Sequence, residues 1–121
     1  MKSTRLKAAV AALSIAVVAM GATPATAGKT VNSKVKITKL SAKGAGGVVK
    51  SKKSKCVKRR TVLLKFVDDY SVTTIGKDKT NRRGVWTVKK PLNHGIYFAK
   101  AKKKKVDNLR CRAATSNDKT F

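Results

Sequence analysis

Apolar residues in this chain recur at every second position and never at helical spacing once the first 27 residues are passed. Val35 and Ile37 alternate with Lys34 and Lys36, and Leu40 follows. Val62, Leu64 and Phe66 share one parity, as do Trp86 with Val88 and Tyr97 with Ala99 and Ala101. A two-residue period sends one set of side chains to a buried sheet face and the other to water. The runs are short and punctuated. Gly44, Gly46 and Gly47 break the first, Val48–Ser51 reads as a brief second strand, and Asp68-Asp69 ends the third. Gly76 stops a strand over Val72–Ile75, and Lys77–Gly84, which holds no apolar residue, reads as a loop. Pro91–His94 forms a tight connection, Lys102–Lys105 a basic turn, and Leu109–Thr115 the last strand. About seven short strands at such spacing predict an all-β sandwich in one domain.

The N-terminus bounds where such a domain works. Lys2, Arg5 and Lys7 precede an apolar run from Ala8 to Met20, and Ala25-Thr26-Ala27 supplies small residues for a signal peptidase. Residues 1–27 therefore read as a cleaved secretory signal peptide and residues 28–121 as the mature β-sandwich domain. No cysteine follows the apolar run to accept a lipid, and no second apolar stretch is long enough to span a bilayer. Secretion to the extracellular space is the expectation.

Export gives the two cysteines, Cys56 and Cys111, their meaning. In an oxidising compartment an even count reads as a disulfide, and here one intramolecular pairing exists. Loop closure by that bond is worth about 4 kcal/mol in the chain-entropy model. Two widely separated cysteines and one histidine fit no zinc pattern.

Charge is the second constraint. The chain carries 30 Lys and Arg against five acidic residues, for a net +25. Setting aside Lys2, Arg5 and Lys7 leaves 27 against five, a balance of +22, and all five acids are aspartates. Such a surface cannot neutralise itself and attracts polyanions in a salt-sensitive way. Lysine also blunts sheet edges and keeps an exported β domain soluble. Two basic runs carry the binding expectation. Lys50, Lys52, Lys53, Lys55, Lys58, Arg59 and Arg60 surround the first cysteine; Lys100, Lys102, Lys103, Lys104 and Lys105 precede the second. A Cys56–Cys111 bond would bring the two runs toward each other. Few aromatics interleave with them and lysine outnumbers arginine, so stacking on bases and bidentate readout are disfavoured.

The remaining chemistry-bearing residues read as structural. Tyr97, in Asn93-His94-Gly95-Ile96-Tyr97, has the spacing of a tyrosine corner, whose hydroxyl bonds back to upstream backbone. Trp86 reads as the core aromatic, packed near the disulfide. His94 is the only histidine and has no nucleophile motif to serve. Asp68 and Asp69 are adjacent, so in a strand they would face opposite ways; they suit a turn better than a carboxylate pair flanking one bond. No catalytic, cofactor-binding or metal-ligating residue is expected.

Cys56-x3-Arg60-x-Val62-x-Leu64, Gly76, Arg83-Gly84-x-Trp86, Gly95-x-Tyr97-Phe98-Ala99-Lys100 and Cys111-x-Ala113-x3-Asn117 together resemble small exported bacterial β-sandwich proteins. These are similar to immunoglobulin-like and carboxypeptidase-regulatory, transthyretin-like modules. The resemblance implies a disulfide-stapled sandwich without catalytic residues; the extreme lysine content lies outside it. The sequence thus predicts a secreted, non-enzymatic binding or structural module for anionic polymers: wall polymer, acidic polysaccharide or extracellular nucleic acid. A cationic effector that disturbs membranes or inhibits an enzyme is the second reading, and a hydrolase the third.

Overall fold

The computed structural model describes residues 29–121; the proposed leader and its cleavage point before Gly28 lie outside them. The chain is all-β. Its strands are β1 (Lys29–Val31), β2 (Ser33–Ser41), β3 (Gly44–Ser51), β4 (Thr61–Val67), β5 (Val72–Lys79), β6 (Val85–Val88), β7 (Ile96–Ala101), β8 (Lys104–Val106), β9 (Leu109–Cys111), β10 (Ala114–Thr115) and β11 (Lys119–Thr120). Among the described residues one 3-10 turn is present, over Ser54–Cys56.

Two sheets face each other in a sandwich-like arrangement. One has the order β2-β3-β6; the other has β10-β7-β4-β5, with β11 following β10 along the same edge of β7. The alternation read from the sequence supplies the core between them. Val35 and Ile37 from β2, Ala45 and Val49 from β3, and Trp86 and Val88 from β6 meet Val62 and Leu64 from β4 and Tyr97, Ala99 and Ala101 from β7. Leu92 closes one end.

Three strand assignments differ from the expectation. The glycine-rich stretch Gly44–Gly47 is strand, not a break. Gly47 lies directly opposite Trp86 and beside Ile37. A Cβ at Gly47 would come within 2.8 Å of Trp86 Cζ2 and overlap the Lys36 carbonyl oxygen. The missing side chain makes room for the indole, which is 1% exposed. Likewise Gly76 does not stop β5, which runs to Lys79. A bulge in β5 absorbs the irregularity there: Leu64 pairs with Gly76 and Lys65 with Thr74, leaving Ile75 as the extra residue. The segment expected as one strand over Leu109–Thr115 divides into β9 and β10, because the chain leaves one sheet at Arg112-Ala113 and joins another.

The third, small sheet has the order β8-β9-β1, with β9 and β1 parallel. It holds the disulfide, Cys56–Cys111, with Cα atoms 5.4 Å apart and a sequence separation of 55. Val31, Cys56 and Cys111 form their own apolar cluster, with Leu109 against it. Trp86 therefore does not pack on the disulfide, as the sequence suggested. It belongs to the main core, and the staple holds a satellite sheet and the Ser54–Cys56 turn to each other. Among the described residues no helix is long and apolar enough to cross a membrane.

Candidate anion-binding surface

The satellite sheet is joined to the sandwich by Arg60. The sequence placed Arg60 in the polyanion-binding run; the structure removes it from the surface. It is 0% exposed, and its guanidinium is spent on the protein. Nη1 donates to the Cys56 carbonyl at 2.7 Å and to Ser33 Oγ at 2.8 Å. Nη2 donates to the carbonyls of Lys102 and Arg112, both at 2.8 Å, and Nε to Lys102 at 3.2 Å. Those contacts use the five N–H donors that a guanidinium carries. Burial lowers the Arg60 pKa from its ordinary value, yet arginine remains charged at any physiological pH. The physical reason for the burial is parity. Arg60 shares the inward phase of Val62 and Leu64, and lies where three chain segments leave carbonyls unpaired.

The rest of the first run is solvent-exposed: Lys50, Lys52, Lys53, Lys55, Lys58 and Arg59. Lys50 sits on β3 opposite Lys34 of β2. In the second run Lys100, Lys102, Lys103 and Lys105 are exposed and Lys104 is half-buried. The two runs meet in part. Lys104 Nζ donates to the Lys58 carbonyl at 2.8 Å, and Lys55 pairs with Asp107 in the β8–β9 turn. Lys105 lies opposite Arg110. Lys100 stands apart, on the sandwich sheet opposite Leu63.

Electrostatics at this meeting point are one-sided. The Lys104 ammonium is pushed below its usual pKa, first by burial and then by the positive charges of Arg60, Arg59, Lys58 and Lys79. Among the described residues Lys55–Asp107 is the one ion pair. Two of the other aspartates serve backbone. Asp68 accepts the N–H groups of Tyr70 and Ser71, both at 2.9 Å, which hold its pKa below the ordinary value. Asp78 Oδ2 accepts the Thr87 N–H at 2.8 Å, joining β5 to β6.

Two cationic residues that the sequence reading left out line a cleft beside this cluster. Lys79, at the end of β5, and Arg82, in the turn before β6, face Lys58 and Arg59 across a space of about 390 Å³. They fell in a stretch read as plain loop, and nothing in their spacing ties them to Lys58. A second, larger groove of about 600 Å³ runs between β2 and the β10–β11 edge, with Lys34, Lys36 and Lys119 in its wall.

The residues read as structural sit as follows. Tyr97 is 2% exposed and donates its hydroxyl to the Asn93 carbonyl at 2.7 Å; burial raises its pKa. Trp86 Nε1 is buried without a hydrogen-bond partner. His94 stacks on Phe121 with ring centroids 4.5 Å apart, while the Gly95 and Phe121 backbones exchange hydrogen bonds of 2.8 and 2.9 Å.

No known family profile matches the chain, and no curated protein does. Among solved structures, the crystal structure of a tetra-tandem repeat in the extending region of a large adhesion protein is similar. The identity is 10%, the TM-score 0.46, and the match covers 75% of this chain and 24% of that one. The chain spans about a quarter of that structure's length.

Proposed function

We propose that this protein is a secreted, non-enzymatic binding module that associates electrostatically with anionic polymers outside the cell. One observation carries the reading. The described residues form a single ion pair, so the +22 that remains once Lys2, Arg5 and Lys7 are set aside is almost wholly uncompensated by fixed partners. Free cations of this kind, on neutralising the charges of a polyanion, release the counterions condensed on it, which drives association. The disulfide supports the extracellular part of the proposal, because such bonds persist in oxidising compartments. The signal peptide proposed over residues 1–27 supplies the route.

An immunoglobulin-like version of the sandwich is the fold we favour. Its support is the division of β2-β3-β6 from β10-β7-β4-β5 and the tyrosine at the start of β7 bonded to the corner before it. That corner recurs in immunoglobulin-like domains. The disulfide departs from the inter-sheet position used in antibody domains, since it lies outside the sandwich core.

Charge reversal tests the function. Lys102→Glu, Lys103→Glu and Lys105→Glu change exposed residues only; Lys104, which holds the Lys58 carbonyl, stays. The triple variant should melt like the wild type and lose affinity for heparin, duplex DNA and anionic wall polymer together. Unchanged affinity for all of them would overturn the reading. Leakage of anionic vesicles at the same protein concentrations would replace it with the membrane-active one.

A further inference from the structure

We propose that the cleft between the Lys58-Arg59 turn and the Lys79–Arg82 segment seats a sulfate- or phosphate-ester group of an extracellular anionic polysaccharide. The proposal rests on the polyanion reading above and narrows it to one place and one polymer class.

Both walls of the cleft are fixed before any ligand arrives. On one side the Arg59 N–H donates to the Thr80 carbonyl at 3.0 Å, and the Thr80 N–H returns a bond to the Arg60 carbonyl at 2.9 Å. Thr80 is itself buried; its Oγ1 donates to the Val57 carbonyl at 2.6 Å and accepts the Arg60 N–H at 2.8 Å. On the other side Asn81 Oδ1 accepts the N–H groups of Arg83 at 2.9 Å and Val85 at 3.0 Å. Gly84, at φ +82°, then closes the turn with its N–H on the Asn81 carbonyl at 3.0 Å. Cations mounted on such a frame lose less conformational freedom on binding than cations on a free loop.

The lining is four cations, Lys58, Arg59, Lys79 and Arg82, with Thr80 and Asn81 between them. No carboxylate enters it. Arg59 holds φ at +54°, a left-handed conformation uncommon outside glycine, asparagine and aspartate. Backbone kept in such a region is over-determined by its surroundings and concentrates at ligand sites. Behind the cleft Lys104 registers the same field, its pKa lowered by Arg59, Lys58 and Lys79 after burial and Arg60. An anion in the cleft would relieve that repulsion.

The shape selects the polymer. A DNA duplex is stiff over about 50 nm and cannot fold its backbone between two turns. The lining has no aromatic ring, so unpaired bases find no stacking partner. A flexible polysaccharide can lower one charged ester into the cleft and carry the next ones past Lys104, Lys105 and Arg110.

The test compares two triple variants of equal charge loss. One is Lys58→Gln, Lys79→Gln and Arg82→Gln in the cleft. The other is Lys34→Gln, Lys36→Gln and Lys119→Gln in the β2–β10 groove. A sulfated heparin oligosaccharide, a phosphorylated mannan oligosaccharide and a short DNA duplex are titrated against each at low salt, after melting curves establish folding. The Lys104 ammonium is followed by NMR in the wild type. We expect the cleft variant to lose about tenfold or more of its affinity for one or both oligosaccharides and the groove variant only two- to threefold. The oligosaccharide more affected tells sulfate from phosphate. The Lys104 pKa should rise on binding. Equal losses in the two variants, or an unmoved Lys104, would overturn the cleft and leave the general polyanion reading standing. A cleft-dependent loss confined to DNA would overturn the polysaccharide. Failure of the wild type to bind any of the three would overturn the general reading itself.

Discussion

Arg60→Met should be among the most destabilising single changes on this protein, although it replaces a charge by an apolar side chain of similar reach. Two effects compete. Removing a buried cation returns its desolvation cost, and such replacements are sometimes neutral or stabilising. Against this, three carbonyls and Ser33 Oγ lose the donors that satisfy them. The Cys56 carbonyl sits in the disulfide cluster, where an orphaned acceptor costs about 1–3 kcal/mol. The carbonyls of Lys102 and Arg112 are half-buried and lose about 1 kcal/mol each after partial hydration. The cation here has no buried carboxylate partner whose removal would also be relieved, so the lost acceptors win. The net cost is about 3–5 kcal/mol, against a total stability of roughly 5–15 kcal/mol for a domain of this size. Urea unfolding followed by Trp86 fluorescence is the assay. With a slope near 1–1.5 kcal/mol/M, the midpoint should fall by roughly 2–5 M. Arg60→Lys should fall in between, because an ammonium has three donors for the five positions. A midpoint unchanged or raised in Arg60→Met would refute the claim that this guanidinium pins the satellite sheet to the sandwich. Polyanion binding by the folded fraction should be unaffected, since the side chain does not reach solvent.

Reduction of Cys56–Cys111, which closes a loop of 55 residues, should cost about 4 kcal/mol and lower the melting temperature sharply; scanning calorimetry with and without reductant checks it. Tyr97→Phe removes the bond to the Asn93 carbonyl and should cost about 1–2 kcal/mol by urea titration, with no change in polyanion affinity. Lys104 has a folded pKa below its ordinary 10.5, so the unfolded chain holds its proton more tightly. Stability should therefore rise with pH between the depressed folded value and 10.5, and that rise should be missing in Lys104→Met.

The alternating strands were legible because each presents one apolar face to a single core. β2, β4, β6 and β7 all follow from parity alone. The glycine stretch was not, since glycine weakens a strand in general and only the facing Trp86 gives Gly47 its purpose. The end of β5 was hidden for a related reason. Its inward residue Asp78 is polar and is satisfied by the Thr87 N–H on the opposite sheet, so Lys77–Lys79 carried no apolar signal. β1, β8, β10 and β11 are too short to show a period at all. Arg60 is the instructive case. Its phase with Val62 and Leu64 pointed inward, but its neighbours Lys58 and Arg59 drew it into a charge run. Parity outranked composition there. Lys79 and Arg82 reach the cleft through the β5–β6 turn, whose return toward Arg59 is set by Thr80 and has no local sequence mark.

The central claim is that uncompensated cations on this surface bind polyanions by displacing counterions. The most direct measurement is the affinity of the folded, oxidised protein for duplex DNA over a series of salt concentrations. The account predicts a straight line of log affinity against log salt with a slope of about −3 or steeper, as expected when at least three or four charges are neutralised at about −0.9 each. A flat line, or no binding at the lowest salt, would contradict it.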